Sequence, residues 1–135
     1  MARGISEIEG IGPRYAGILK SAGISNTEHL LRAGATSKGR ADLASKTGLS
    51  SKLIIRWVNM CDLFRVRGVA GQYAELLEAA GVDTVKELRN RNPENLTEAM
   101  LKANDGKQLV RKIPNSKRVS GWIEHAKSLQ PMVTY

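Results

Sequence analysis

The sequence predicts an all-α fold made of two tandem copies of one helical unit, and three observations carry that expectation. Apolar residues recur at helical spacing along most of the chain, and no stretch sustains the two-residue alternation of a strand. Residues that cap helices, Asn26, Ser50, Asp83, Asn92 and Asn115, each stand just before a periodic segment. The chain also matches itself on displacement. A shift of 58 carries "GIGPRYAGILKSAGI" at residues 10–24 onto "GVAGQYAELLEAAGV" at 68–82, with Gly10 on Gly68, Tyr15 on Tyr73, Leu19 on Leu77 and Gly23 on Gly81. A shift of 65 puts Trp57 on Trp122 and Cys61 on Ala126, so the second copy carries a 7-residue insertion, placed around "NDGKQLV". Units over 1–64 and 65–135, sharing one compact core, are the expectation.

The elements follow in order. Helices are expected over 13–22, 27–32, 39–46, 51–64, 71–80, 85–90, 94–103 and 116–129. Pro13 suits a first helical position, where its missing N–H is not needed, and Pro93 after Asn92 is the same start signal. Gly23 reads as the C-cap of the first helix.

Bulk properties bound the class. At 135 residues, 41% hydrophobic and 25% charged, the chain is folded rather than disordered. Aromatics at 4% are lean for a sandwich, a barrel or a base-stacking surface. No run approaches the roughly 18 apolar residues that cross a membrane, and "MARGISEIEG" lacks the apolar segment of a secretory signal. The single cysteine, Cys61, excludes an internal disulfide framework and fits a reducing compartment, with the cytoplasm as the expectation.

The net charge is +8, and each half carries +4: nine basic and five acidic side chains up to Phe64, twelve and eight after it. A basic balance spread along the whole chain points to an anionic partner, most often nucleic acid, although many basic proteins carry no ligand.

Within the first unit, Ile5-x-x-Ile8-x-Gly10-Ile11-Gly12-x-x-x-Ala16-x-x-Leu19 resembles the helix-hairpin-helix motif. The resemblance implies two short helices about an apolar frame, with a hairpin whose amides meet a nucleic-acid phosphate independently of base sequence. Carried onto this chain, the phosphate sits on the amides of Gly10, Gly12 and the following turn. Ile11 lies between the glycines, and Arg14 and Lys20 add charge. The physics agrees, because bare amides and the helix dipole favour an anion and glycine permits close approach. The alternative is a hairpin kept only for packing. The second copy has Ala70 for Gly12, Gly71 for Pro13, Gln72 for Arg14, and Glu75 and Glu78 for Gly17 and Lys20. A methyl at 70 is expected to hinder phosphate approach or left-handed φ, so this hairpin reads as mainly structural.

Two further segments bear on binding. "LASKTGLSSKLIIRWV" is a helix, a Gly48 turn and a second helix, with Ser50, Lys52 and neighbouring cations as candidate contacts. Its counterpart "KQLVRKIPNSKRVSGWI" holds Lys107, Arg111, Lys112, Lys117 and Arg118, with no acidic residue between Gly106 and Ile123. The bland reading of such a run is a solvated face. Trp57 with Trp122 and Tyr15 with Tyr73 occupy matching positions, which argues for shared, buried packing rather than base stacking. Cys61 lies on an apolar stripe and reads as a small buried hydrophobe.

Catalysis is not expected. His29 and His125 are far apart in sequence, and no metal-binding, nucleophile-elbow or phosphate-loop motif is present. One cysteine and two histidines fall short of a metal site, so neither metal nor cofactor is expected. "IEGIGPRYA", "TGLSSKLIIRWVNMCDLFRVRGV", "YAELLEAAGVDTVKELRNRNPENL", "GWIEHAKSL" and the final "VTY" resemble a family of small uncharacterised bacterial proteins built from tandem helix-hairpin-helix units, a domain of unknown function. That resemblance implies a fold and no activity. The expected function is sequence-independent binding of nucleic acid, DNA more than RNA. The alternative is a protein-interaction or scaffolding module.

Overall fold

The computed structural model describes residues 3–135, and every helix or strand element among them is helical. Two compact units emerge. The first runs to Asp62 and takes in Met132–Tyr135, and the second is Leu63–Pro131.

The first unit opens with a single 3-10 turn, Ile5–Glu7, followed by α1 (Pro13–Ser21), α2 (Thr27–Gly34), α3 (Ser37–Thr47) and α4 (Ser51–Leu63). Each start has a local cause. Pro13 occupies the first position of α1. The Asn26 side chain accepts the His29 N–H at 2.8 Å at the head of α2. Thr36 Oγ1 accepts the Gly39 N–H at 3.0 Å, which starts α3 two residues earlier than the sequence suggests. Ser50 Oγ accepts the Leu53 N–H at 3.1 Å ahead of α4. The end of α1 is equally explicit. Gly23 follows the cap residue Ala22 at φ +88°, its N–H bonds Lys20 O at 3.0 Å, and the Ile24 N–H reaches back to Leu19 O at 2.9 Å. That is the paired bonding of a glycine-terminated helix, with Ile24 buried beyond it.

A buried arginine ties the C-terminal residues to this unit. Arg40, 7% exposed, donates from Nη1 to Gly34 O at 2.8 Å and Ala35 O at 3.2 Å. From Nη2 it donates to Thr134 O at 2.6 Å. The Thr134 N–H returns to Ala35 O at 2.8 Å, and Tyr135 Oη meets Asn59 Oδ1 at 3.1 Å. The carbonyls that α2 leaves unpaired at its end thus share one guanidinium with the tail.

The second unit contains α5 (Gly71–Ala79), α6 (Val85–Leu88), α7 (Pro93–Lys107) and α8 (Ser116–Ser128). The α5 end repeats the bonding of α1: Gly81 at φ +96°, its N–H on Glu78 O at 3.0 Å, and the Val82 N–H on Leu77 O at 2.8 Å. Thr84, not Asp83, caps α6 by accepting the Glu87 N–H at 3.2 Å, because the helix begins one residue later than the acidic residue requires. That helix is a single turn and stops well before residue 90. Asn92 and Asn115 cap α7 and α8 as expected. Helix α7 continues through Asn104–Lys107 instead of stopping at 103, and Gln108 at φ +51° turns the chain out of it. The Asn104 side chain then clamps both the N–H and the C=O of Val110, at 2.9 and 3.0 Å. Helix α7 packs on α5 and α8, and α6 on α8.

Replacing Arg40 with Met keeps the buried stem but takes the guanidinium from Gly34 O and Thr134 O, while Ala35 O keeps the Thr134 N–H. The expected loss is about 3 kcal/mol in urea unfolding, with a similar loss on deleting residues 132–135. A variant as stable as the parent would show that the guanidinium is not what holds the tail.

Candidate functional site

Each unit carries a β-turn leading into a helix, and the two turns are built alike. In the first, the Ile11 N–H bonds Ile8 O at 3.1 Å, closing a turn whose third residue, Gly10, sits at φ +92°. In the second, the Val69 N–H bonds Val66 O at 3.1 Å, with Gly68 at φ +89°. Positive φ at that position is the requirement glycine meets. An indole lies against each turn. A Cβ on Gly10 would come 3.8 Å from Trp57 Nε1, and one on Gly68 only 3.0 Å from Trp122 Nε1. Tyr15 meets Trp57 edge-on with ring centroids 5.1 Å apart, and Tyr73 meets Trp122 at 5.5 Å. Both tryptophans are buried as expected, but both tyrosines are only half-buried. For Tyr73 the reason is visible: its hydroxyl faces Lys112 O and Arg118 Nη1, each at 3.4 Å.

The second glycine of the motif plays another part than expected. Gly12 lies at φ −88°, ψ −174°, in ordinary extended backbone, and a Cβ there would meet nothing within 4 Å. Ala70 takes the same extended conformation at φ −138°, ψ 169°. The methyl at 70 therefore does not disturb the second hairpin, whose essential glycine is Gly68. Ile11 is buried and its amide is committed within the turn, so it anchors rather than binds. Among the described residues, no protein group accepts from the amides of Gly10, Gly12, Arg14 or Tyr15. Helices α1 and α5 also differ from the others. Their N-cap residues offer no side-chain bond, whereas Asn26, Thr36, Ser50, Thr84, Asn92 and Asn115 cap the rest.

The other candidate residues do not all gather at this hairpin. Arg14 is exposed beside it. Lys20 lies in the last turn of α1, roughly 12 Å along the axis from Gly12 at about 1.5 Å per residue. Lys46 and Thr47 line an open depression with Ile18, Ser21 and Ala22. The turn between α3 and α4 thus lies toward the far end of α1. Gly48 is there for its φ of +74°, Ser50 for its cap, and Lys52 is exposed. In the second unit Arg111, Lys112 and Lys117 are exposed. Arg118 is exposed as well, with its guanidinium over Tyr73, 4.8 Å from the ring centre, and over Trp122, 5.6 Å away. Sequence reading missed one pairing altogether: the Arg67 N–H donates to His125 Nδ1 at 2.9 Å. The two lie 58 residues apart and share no local pattern.

Cys61 is buried, and burial first, then the Asp62 charge, pushes its thiol far above the usual range, the state of an unreactive sulfur. Among the described residues no three His, Cys, Asp or Glu side chains are grouped to hold a metal ion. Among the described residues no helix is long and apolar enough to cross a membrane.

Two substitutions separate the glycines. Gly68→Ala forces a left-handed residue, a cost of about 1–2 kcal/mol, against Trp122. Gly12→Ala should stay within about 0.5 kcal/mol of the parent. Equal midpoints in urea would refute this assignment of roles.

No curated protein and no solved structure matches the chain. A family model described as Domain of unknown function (DUF4332) matches residues 9–129, a span that holds Gly10 and Gly68 of the two turns, both tryptophans and helices α1 to α8. The chain belongs to that family.

Proposed function

We propose that this protein is a non-catalytic, sequence-independent nucleic-acid-binding module, for DNA more than RNA, assembled from two helix-hairpin-helix units. Its Gly10–Ile11–Gly12 hairpin holds a backbone phosphate. The observation that carries the reading is the head of α1, which has no side-chain cap and several uncommitted amides beside the exposed Arg14. Such amides and the dipole behind them suit an anion. The net charge of +8 supplies long-range attraction for a polyanion. No residue is assigned a catalytic role, no metal or cofactor is invoked, and the lone buried thiol fits a reducing compartment, the cytoplasm.

A second reading, a protein-interaction or scaffolding module, is favoured by one feature: Gly10 is already accounted for by its φ and by the indole against it.

Binding to short duplex DNA should weaken with salt, with a slope near −0.9 per neutralised phosphate. Arg14→Ala should flatten that slope by about one unit. Gly12→Val is a clean steric test, since the backbone there already suits a β-branched residue and has open space. It should fold as the parent does by circular dichroism and still lose affinity. Absence of binding to any nucleic acid at low salt, or undiminished binding by Gly12→Val, would pass the case to the scaffold reading.

A further inference from the structure

The second unit contains an open hollow of about 450 Å³ lined by Arg67, Gly68, Arg118, Gly121, Trp122 and His125. Arg118, Gly121, Trp122 and His125 stand at i, i+3, i+4 and i+7 of α8 and so form one face of that helix. Arg67 and Gly68 come from the turn at 66–69. We propose that this hollow is a binding site for a phosphoryl group. It does not rest on the first hairpin and stands whether or not that hairpin binds anything.

The chemistry of the lining is one-sided. Of its four side chains two are guanidinium groups and one is an imidazole, and none is acidic. Among the described residues no carboxylate pairs with Arg67 or Arg118. Two guanidinium-bearing residues on one hollow, without an acid among its lining, favour an anion as their common partner.

Some of the donors have partners before any ligand arrives. The exposed Arg118 side chain lies over the Tyr73 and Trp122 rings and meets Tyr73 Oη at 3.4 Å, contacts that favour this position of its guanidinium. His125 accepts the Arg67 N–H at Nδ1, which leaves Nε2 as the protonated nitrogen of the neutral ring. Gly121 has open space where a side chain would stand, which keeps the floor of the hollow clear. The exposed Gly68 amide has no protein acceptor among the described residues. Planar guanidinium forks, one imidazole N–H and one amide offer donors from several directions, the arrangement that suits a tetrahedral oxyanion.

The first unit shows what is specific here. The displacements that match the two turns and the two tryptophans put Glu9, Gly10, Leu53, Arg56, Trp57 and Met60 at these six positions. The glycine and the indole persist, while the acid, the aliphatic groups and the arginine on the helix face do not make an anion site. The hairpin that reads as structural in sequence is therefore the better equipped of the two.

The test uses the full 15N-labelled chain and follows the indole N–H resonances by NMR, assigned with Trp122→Phe. Inorganic phosphate should shift the Trp122 resonance and the Gly68 amide saturably and leave Trp57 unmoved. Parallel titrations with a 5′-mononucleotide and a short DNA duplex identify the source of the phosphoryl group by which one saturates at the lowest concentration. Arg67→Gln should weaken binding at least fivefold and Arg67→Gln with Arg118→Gln at least twentyfold, with unchanged circular dichroism. Restoring charge as Arg118→Lys should recover part of the loss, and Arg14→Ala should leave the Trp122 shift intact. No saturable shift at Trp122 with any of the three ligands overturns the site, as does undiminished binding by the exposed Arg67→Gln variant.

Discussion

Each unit depends on a tryptophan indole pressed against a glycine turn. The indole removes on the order of 200 Å² from water, which at roughly 25 cal/mol per Å² is about 5 kcal/mol. Trp57 also buries its N–H without an acceptor, a cost of about 1–3 kcal/mol. The apolar gain exceeds that cost, so the indole stays where it is and the turn must accommodate it. A residue with a side chain at Gly10 or Gly68 faces a left-handed backbone, and at Gly68 a close nitrogen as well. The turn, the helix that follows and the tyrosine ring angled against the indole are all arranged around this contact.

That constraint leaves the chemistry of the turn free to vary. The glycine that carries positive φ and the tryptophan serve the frame, and the residues flanking them do not. Glu9 and Arg67 hold the same turn position with opposite charge, and Gly12 and Ala70 share an extended conformation despite their different side chains. The same turn geometry is therefore compatible with either sign of charge beside it.

Much of this was legible in the sequence because the evidence is local or repeated. Cap side chains announce helices three residues ahead, which is why Asn26, Ser50, Asn92 and Asn115 are read correctly. Asp83 fails because two adjacent residues can each cap, and only the helical register chooses Thr84. The Gly–x–Gly pattern shows that glycine is needed but not which one carries the positive φ, hence the misplaced role of Gly12. Charge groups Lys20 with the hairpin, yet distance along a helix separates it from there. The rest was silent for one reason: Arg40 finds Thr134 at a separation of 94 residues, and no periodicity encodes such a meeting.

The return of Met132–Tyr135 to the first unit has a consequence for the order of assembly. A chain emerging from the ribosome ordinarily completes its N-terminal part first. Here the second unit has all its residues once Pro131 has emerged, while the first still waits for the strap that fills the Arg40 guanidinium. The part made first is the part finished last. Until Thr134 arrives, the nascent first unit holds a buried cation with one of its acceptors missing, and its final stability is set only after the second unit has been made.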